Sequence, residues 1–183
     1  MPRQNRVTPF GEIVAYPERG LFMGNRGILV DAHGNLTRRR WSSPAWITCA
    51  LEFKGRRLPL MEPGHNTQLF FLDEATALAA GHRPCGECRR ADFDRFKALW
   101  LEANAARVAG PLPRIGQIDR AIHVERVHAR QRTQLTYRDS LDALANGVFV
   151  TLDDARAAYL VWDGVLWRWT RVATRSRSAG PAT

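Results

Sequence analysis

The sequence predicts an α+β protein with antiparallel strands at both ends around a central helical segment. Three observations predict it. β-forming residues dominate from residue 1 to about 72 and return from Val148 to Trp169. Helix start and stop signals are confined to the middle of the chain. That middle also holds a C-x-x-C pair, Cys85 and Cys88.

In the N-terminal part, Ile13 to Ala15 is a short apolar run. Gly27–Val30 and Leu36–Trp41 flank Asp31-Ala32-His33-Gly34-Asn35, which reads as a hairpin loop. Ala45 to Phe53 is a longer strand candidate, Lys54-Gly55-Arg56 its turn and Arg57 to Met61 the return strand. Thr67 to Leu72 follows as a further strand. Asp73 is suited to cap a helix over 74–80, and Gly81 to stop it. Asp92 caps a longer predicted helix reaching about Arg107, on which Phe93, Phe96, Leu99, Trp100 and Ala103 share a core-facing stripe. A third helix is expected over about Ile118 to Gln131, and a short one over Asp139 to Ala145. Val148–Leu152, Tyr159–Trp162 and Val165–Trp169 then form a meander, with Asp163-Gly164 as a two-residue turn. The expected organisation is a strand-rich region with the cysteine module over 1–110, a helix plus the C-terminal meander in the same domain over 111–173, and a disordered basic tail over 174–183.

The chain has 183 residues, with 27 basic against 18 acidic side chains and a net charge of +9. All the bases except Lys54 and Lys97 are arginine. Such a charge favours a polyanionic partner, nucleic acid above all, and arginine's planar fork suits phosphate oxygens. The plainer reading is an arginine bias of genome composition. Arg38, Arg39 and Arg40 ahead of Trp41, and Arg89 and Arg90 beside the cysteine pair, are the candidate nucleic-acid contacts; a solvated basic face is the alternative. No run approaches the roughly 18 apolar residues of a membrane span, and no membrane partner is expected. Residues 1–20 contain no apolar secretory region, and three cysteines are too few for a disulfide scaffold. A cytoplasmic location is therefore expected. There is no P-loop, G-x-G-x-x-G or G-x-S-x-G, so nucleotide hydrolysis, dinucleotide redox and α/β-hydrolase chemistry have no support.

Gly81-His82-Arg83-Pro84-Cys85-Gly86-Glu87-Cys88-Arg89-Arg90 is the sharpest local signal. A C-x-x-C turn places two thiolates at two corners of a zinc tetrahedron, and neighbouring arginines favour the thiolate. A redox dithiol and incidental cysteines are the competing readings. With zinc as the expected cofactor, the central helical segment becomes the zinc-binding one. The remaining ligands must come from Cys49 and the five histidines. Residues 71–90, with an alanine-rich helix leading into Gly81-His82-Arg83-Pro84-Cys85 and Cys88, resemble the second half of the Ada N-terminal metal-binding domain. The resemblance implies a zinc site in a small α/β module that touches the DNA backbone. DNA rather than RNA is accordingly the expected partner, in a setting of DNA repair or damage sensing. That family supplies an earlier cysteine pair; here the upstream segment offers Cys49 and His65 at different spacing. Cys49, His65, Cys85 and Cys88 are the expected ligand set, without methyl-acceptor chemistry. His82 either packs at the helix end or replaces a missing ligand.

A second constellation runs from Asp119 to His128. On a helix Asp119 and His123 share a face, and a carboxylate beside an imidazole raises its basicity. His123, with Asp119 or Glu125 in support, is the candidate catalytic group of a metal-dependent hydrolase or nuclease. A salt-bridged surface helix is the alternative. Cys85, Cys88, His123 and His128 could also make a Cys₂His₂ site. Three functions stand at this point: a zinc-binding, basic nucleic-acid-binding protein; a metal-dependent hydrolase or nuclease; and a zinc-stabilised structural or partner-binding protein.

Overall fold

The computed structural model describes residues 1–56, 59–110, 113–152 and 157–171. Strands β1 (Arg6–Val7) and β2 (Ile13–Val14) form an antiparallel pair. With β3 (Phe22–Asn25), β4 (Ile47–Ala50), β5 (Leu69–Phe71) and β6 (Arg83–Pro84) they make a six-stranded sheet in the order β2-β1-β5-β3-β4-β6. The β1–β5 and β4–β6 pairs are parallel. Gly24 on β3 is required by its neighbours. A Cβ there would lie 2.1 Å from the Ile47 carbonyl oxygen and 2.9 Å from the Phe71 ring. Val7, Ile13, Leu69 and Phe71 of the sheet pack with Leu29, Ala77 and Ala80 into the core. Between Gly27 and Trp41 the expected hairpin is reduced to one bridge, Val30 with Leu36.

Helix α1 (Glu74–Ala79) follows β5. Asp73 caps it, its Oδ1 accepting from the Thr76 N–H at 2.7 Å. Gly81, at φ +84, turns the chain out of the helix where a Cβ would lie 2.8 Å from Arg126 Cδ. The chain then enters β6, because Pro84 disfavours helical backbone at Arg83.

Helix α2 (Arg90–Asn104) starts two residues before the expected cap, and a 3₁₀ turn, Ala105–Arg107, continues it. Its apolar stripe is not core. No α2 residue is buried; Phe93, Phe96 and Trp100 are half-buried and Leu99 is exposed. Helix α3 (Ile115–Arg126) stops before Val127, which is buried and opens the hairpin of β7 (Val127–His128) with β8 (Thr133–Gln134). Residues 127–131 are therefore not helical. The expected helix over 139–145 is one 3₁₀ turn, Leu141–Ala143. Strands β9 (Phe149–Val150), β10 (Tyr159–Trp162) and β11 (Val165–Arg168) form the separate antiparallel meander. Asp163 and Gly164, both at positive φ, make its turn. The meander is tied to α1 by the Trp169 Nε1–H, which donates to Thr76 Oγ1 at 3.2 Å.

The protein is thus mixed α+β, but the expected arrangement is corrected. Strands do not sit at both ends around a helical centre. The main sheet interleaves with α1, contains parallel pairs, and takes Arg83–Pro84, just ahead of the cysteine pair, as a strand. The reason is strand length. Elements of two to four residues bury too little surface against their chain neighbours alone, and close a sheet through distant partners instead. Arg57 and Leu58 of the expected return strand, and the 174–183 tail, lie outside the described residues. Met61, at the end of that expected strand, has φ +59 and belongs to no strand. Among the described residues no helix is long and apolar enough to cross a membrane.

Candidate metal centre

Cys49 lies on β4, opposite Met23 in the register. The parallel pairing of Thr48 with Pro84 carries the chain to Cys85, whose N–H donates to the Thr48 carbonyl at 2.8 Å. The turn through Gly86 brings back Cys88. The three sulfurs lie within 4.8 Å of one another. Zinc–sulfur bonds of about 2.3 Å in a tetrahedron need sulfurs about 3.8 Å apart, so a small inward adjustment suffices. Two backbone donors face the sulfurs. The Glu87 N–H reaches Cys85 Sγ and the Ala50 N–H reaches Cys88 Sγ, both at 3.4 Å. Such donors stabilise thiolate charge without protonating it. The Cys85 thiol is pulled down to about 5, chiefly by the hydrogen bond from Cys49, while the same bond and burial push Cys49 up. Burial raises Cys88. A bound cation would displace the protons that these thiols hold. Three sulfurs this close could hold a thiophilic metal ion.

His65 is not brought to this cluster. Its side chain is 67% exposed and pairs with Glu62 at 3.4 Å, and its Nδ1 lies 3.2 Å from the Pro63 carbonyl. The turn through Gly64, at φ +79, curls it back on its own loop. Of the four expected ligands, the structure brings Cys49, Cys85 and Cys88 together. Among the described residues no histidine, aspartate or glutamate joins them.

His82 is buried. Its ring packs 4.5 Å from Phe71 and 5.3 Å from Trp46, and Nε2 accepts from the Arg26 Nε–H at 3.1 Å. Burial, and then Arg26 and Arg126, hold its pKa well below 6.5. Trp46 is clamped between the guanidinium groups of Arg26 and Arg126, each 4.0 Å from its ring. Burial pulls both arginines down to about 9. Composition and spacing carried no signal for this stack, because its members are far apart in the chain.

The Asp119–His123 pairing does not form. Asp119 is buried and accepts two bonds from Arg83, Nε–H to Oδ1 at 2.7 Å and Nη2–H to Oδ2 at 2.8 Å. That fork joins α3 to β6. His123 instead lies edge-on to Trp41, at 5.3 Å, and to Trp46, at 5.8 Å. Its Nδ1 accepts from Arg126 at 3.0 Å, and burial together with Arg126 lowers its pKa. Glu125 pairs with Arg107. Neither His123 nor His128 joins the cysteines.

Of the candidate nucleic-acid contacts, Arg89 is buried and turned inward. It donates to Asp92, Glu74 and Thr48 Oγ1 and stacks over Phe22 at 4.5 Å. Arg90 is exposed but pairs with Asp94 at 2.8 Å. Arg38, Arg39 and Arg40 are exposed. Arg39, Arg40, Trp41 and Ser42 line a groove of about 440 Å³ with Ala129 and Arg132, and no carboxylate lines it. Arg132 was not a sequence candidate; the β7–β8 hairpin delivers it across more than ninety residues, and Nη1 reaches the Arg38 carbonyl at 3.5 Å.

Compared with known proteins, the chain matches no family model, no curated protein and no solved structure.

Proposed function

We propose that this chain is a zinc-binding, basic protein that contacts nucleic acid, with the metal on Cys49, Cys85 and Cys88. The observation that carries the reading is the convergence of the three sulfurs, one from β4 and two from the turn after β6, with two backbone N–H groups aimed at them. A metal there would tie that turn to the sheet, and its binding free energy would become folding free energy. The nucleic-acid part is supported by the net charge of +9 and by the carboxylate-free groove of Arg39, Arg40 and Arg132 beside Trp41. In that groove the arginines would hold phosphates and Trp41 would offer a ring for stacking. With the Ada-like segment, DNA is the favoured partner and damage sensing or repair the favoured setting. The hydrolase reading loses its support, since arginines occupy both carboxylates that would assist His123.

Elemental mass spectrometry on the purified chain should find about one zinc, lost in Cys85→Ser. Binding of DNA oligonucleotides should weaken steeply with salt. Arg40→Ala and Arg132→Ala should each reduce the slope of log K against log salt by about one. A metal-free protein, or binding indifferent to salt, would defeat the respective half of the proposal.

A further inference from the structure

The three-cysteine cluster differs from a closed structural zinc site in two respects. Tetrahedral structural sites take four protein ligands, whereas among the described residues three sulfurs come together here. Closed sites are also well shielded, whereas Cys49, Cys85 and Cys88 are all partly exposed. The carboxylate nearest in sequence, Glu87 between the two ligands of the turn, is held elsewhere. Its Oε1 accepts from Arg56 Nη2 at 2.8 Å, and Oε2 lies 3.4 Å from Nη1. The Glu87 pair thus holds the Arg56 guanidinium beside the cysteine turn, and the N-terminus of α2 begins two residues past Cys88.

We propose that the metal on Cys49, Cys85 and Cys88 takes its fourth ligand from outside the chain, a small anion drawn in past Arg56, so that the centre is an exchangeable binding site. The inference rests on the metal reading above and goes beyond it. In a closed site the metal would only staple the fold. With three thiolates and one exchangeable position it would recognise a ligand, as zinc sites with three protein ligands do. Arg56 has two parts in this arrangement: it keeps Glu87 off the metal, and it supplies the positive charge that an incoming anion meets.

The test uses the full-length chain loaded with cobalt(II), whose visible bands report coordination, and azide as the probe. One cobalt should bind per chain with thiolate charge-transfer intensity. X-ray absorption should count three sulfurs and one lighter donor. Azide should shift the ligand-field bands saturably, and Arg56→Ala should raise the half-saturating concentration by roughly two- to fivefold, the effect of one exposed charge. A spectrum that azide does not move overturns the proposal. So does a count of four sulfurs with one metal shared between two chains. A change in the azide-free spectrum of Glu87→Gln would put Glu87 on the metal and overturn it as well. Failure to bind cobalt at all would instead remove the metal reading, and this inference with it.

Discussion

Strand β4 has a sulfur end and an arginine end, and the two were assembled by opposite rules. At the sulfur end Cys49, Cys85 and Cys88 converge with no other side chain joining them among the described residues; thiols make weak hydrogen bonds, and backbone N–H groups face their sulfurs. On the arginine side Asp119, His123 and Glu125 lie as close in sequence as any catalytic set, and the fold disperses them. Arg83 takes both oxygens of Asp119, Arg107 takes Glu125, and Arg126 takes His123. In a chain with 27 bases and 18 acids, a carboxylate on a helix face meets guanidinium before it meets imidazole. The bidentate fork, being charge-assisted and planar, outcompetes the single Asp–His bond. Helical spacing shows which residues could meet, while the surplus of arginine selects the pairs that form.

The largest expected effect breaks the arginine side. Asp119→Ala leaves the Arg83 guanidinium buried without its partner, and urea unfolding should show a loss of about 3–5 kcal/mol. Zinc content per folded chain should stay unchanged; metal loss without loss of stability would instead place Asp119 in the metal centre. A smaller effect concerns His82. The unfolded chain takes up a proton near pH 6.5, whereas the folded chain resists it, because Nε2 is engaged by Arg26 and the ring is buried. Folding stability is therefore full above about pH 6.5 and falls as the pH drops below it, by up to about 1.4 kcal/mol per pH unit. His82→Gln, followed by urea titrations across about pH 5 to 8, should flatten that slope, and a slope identical to wild type would acquit His82. His123, also lowered, acts in the same sense and should account for a residual slope. The smallest effect tests the helix leading to the cysteines. Asp73→Ala should cost about 1 kcal/mol through the lost cap on α1, read as a lower thermal midpoint, with zinc stoichiometry retained.

Local chemistry was enough for some of the molecule. Asp73 and Gly81 marked both ends of α1, because capping and positive φ depend on one or two residues. Asp163-Gly164 marked its turn for the same reason. Cys85 and Cys88 were recognisable as a pair through spacing alone. The features that failed were those for which a pattern has two outcomes. The α2 stripe has core periodicity, yet none of its residues is buried. Residues 127–131 look helical until Val127 is buried and a hairpin forms. His65 matched Cys49 as a candidate by residue type, but its loop folds back on Glu62.

The partners of Cys85 and Cys88, the inward turn of Arg89, the Arg26–Trp46–Arg126 stack and the arrival of Arg132 beside Arg39 depended on packing across long stretches of chain. Caps, turns and the C-x-x-C pair are contacts between residues a few positions apart, whose geometry the intervening backbone enforces. Contacts between distant segments form only when the whole sheet chooses its order, and here parallel pairing of two short strands, β4 with β6, set Cys49 beside the turn of Cys85 and Cys88.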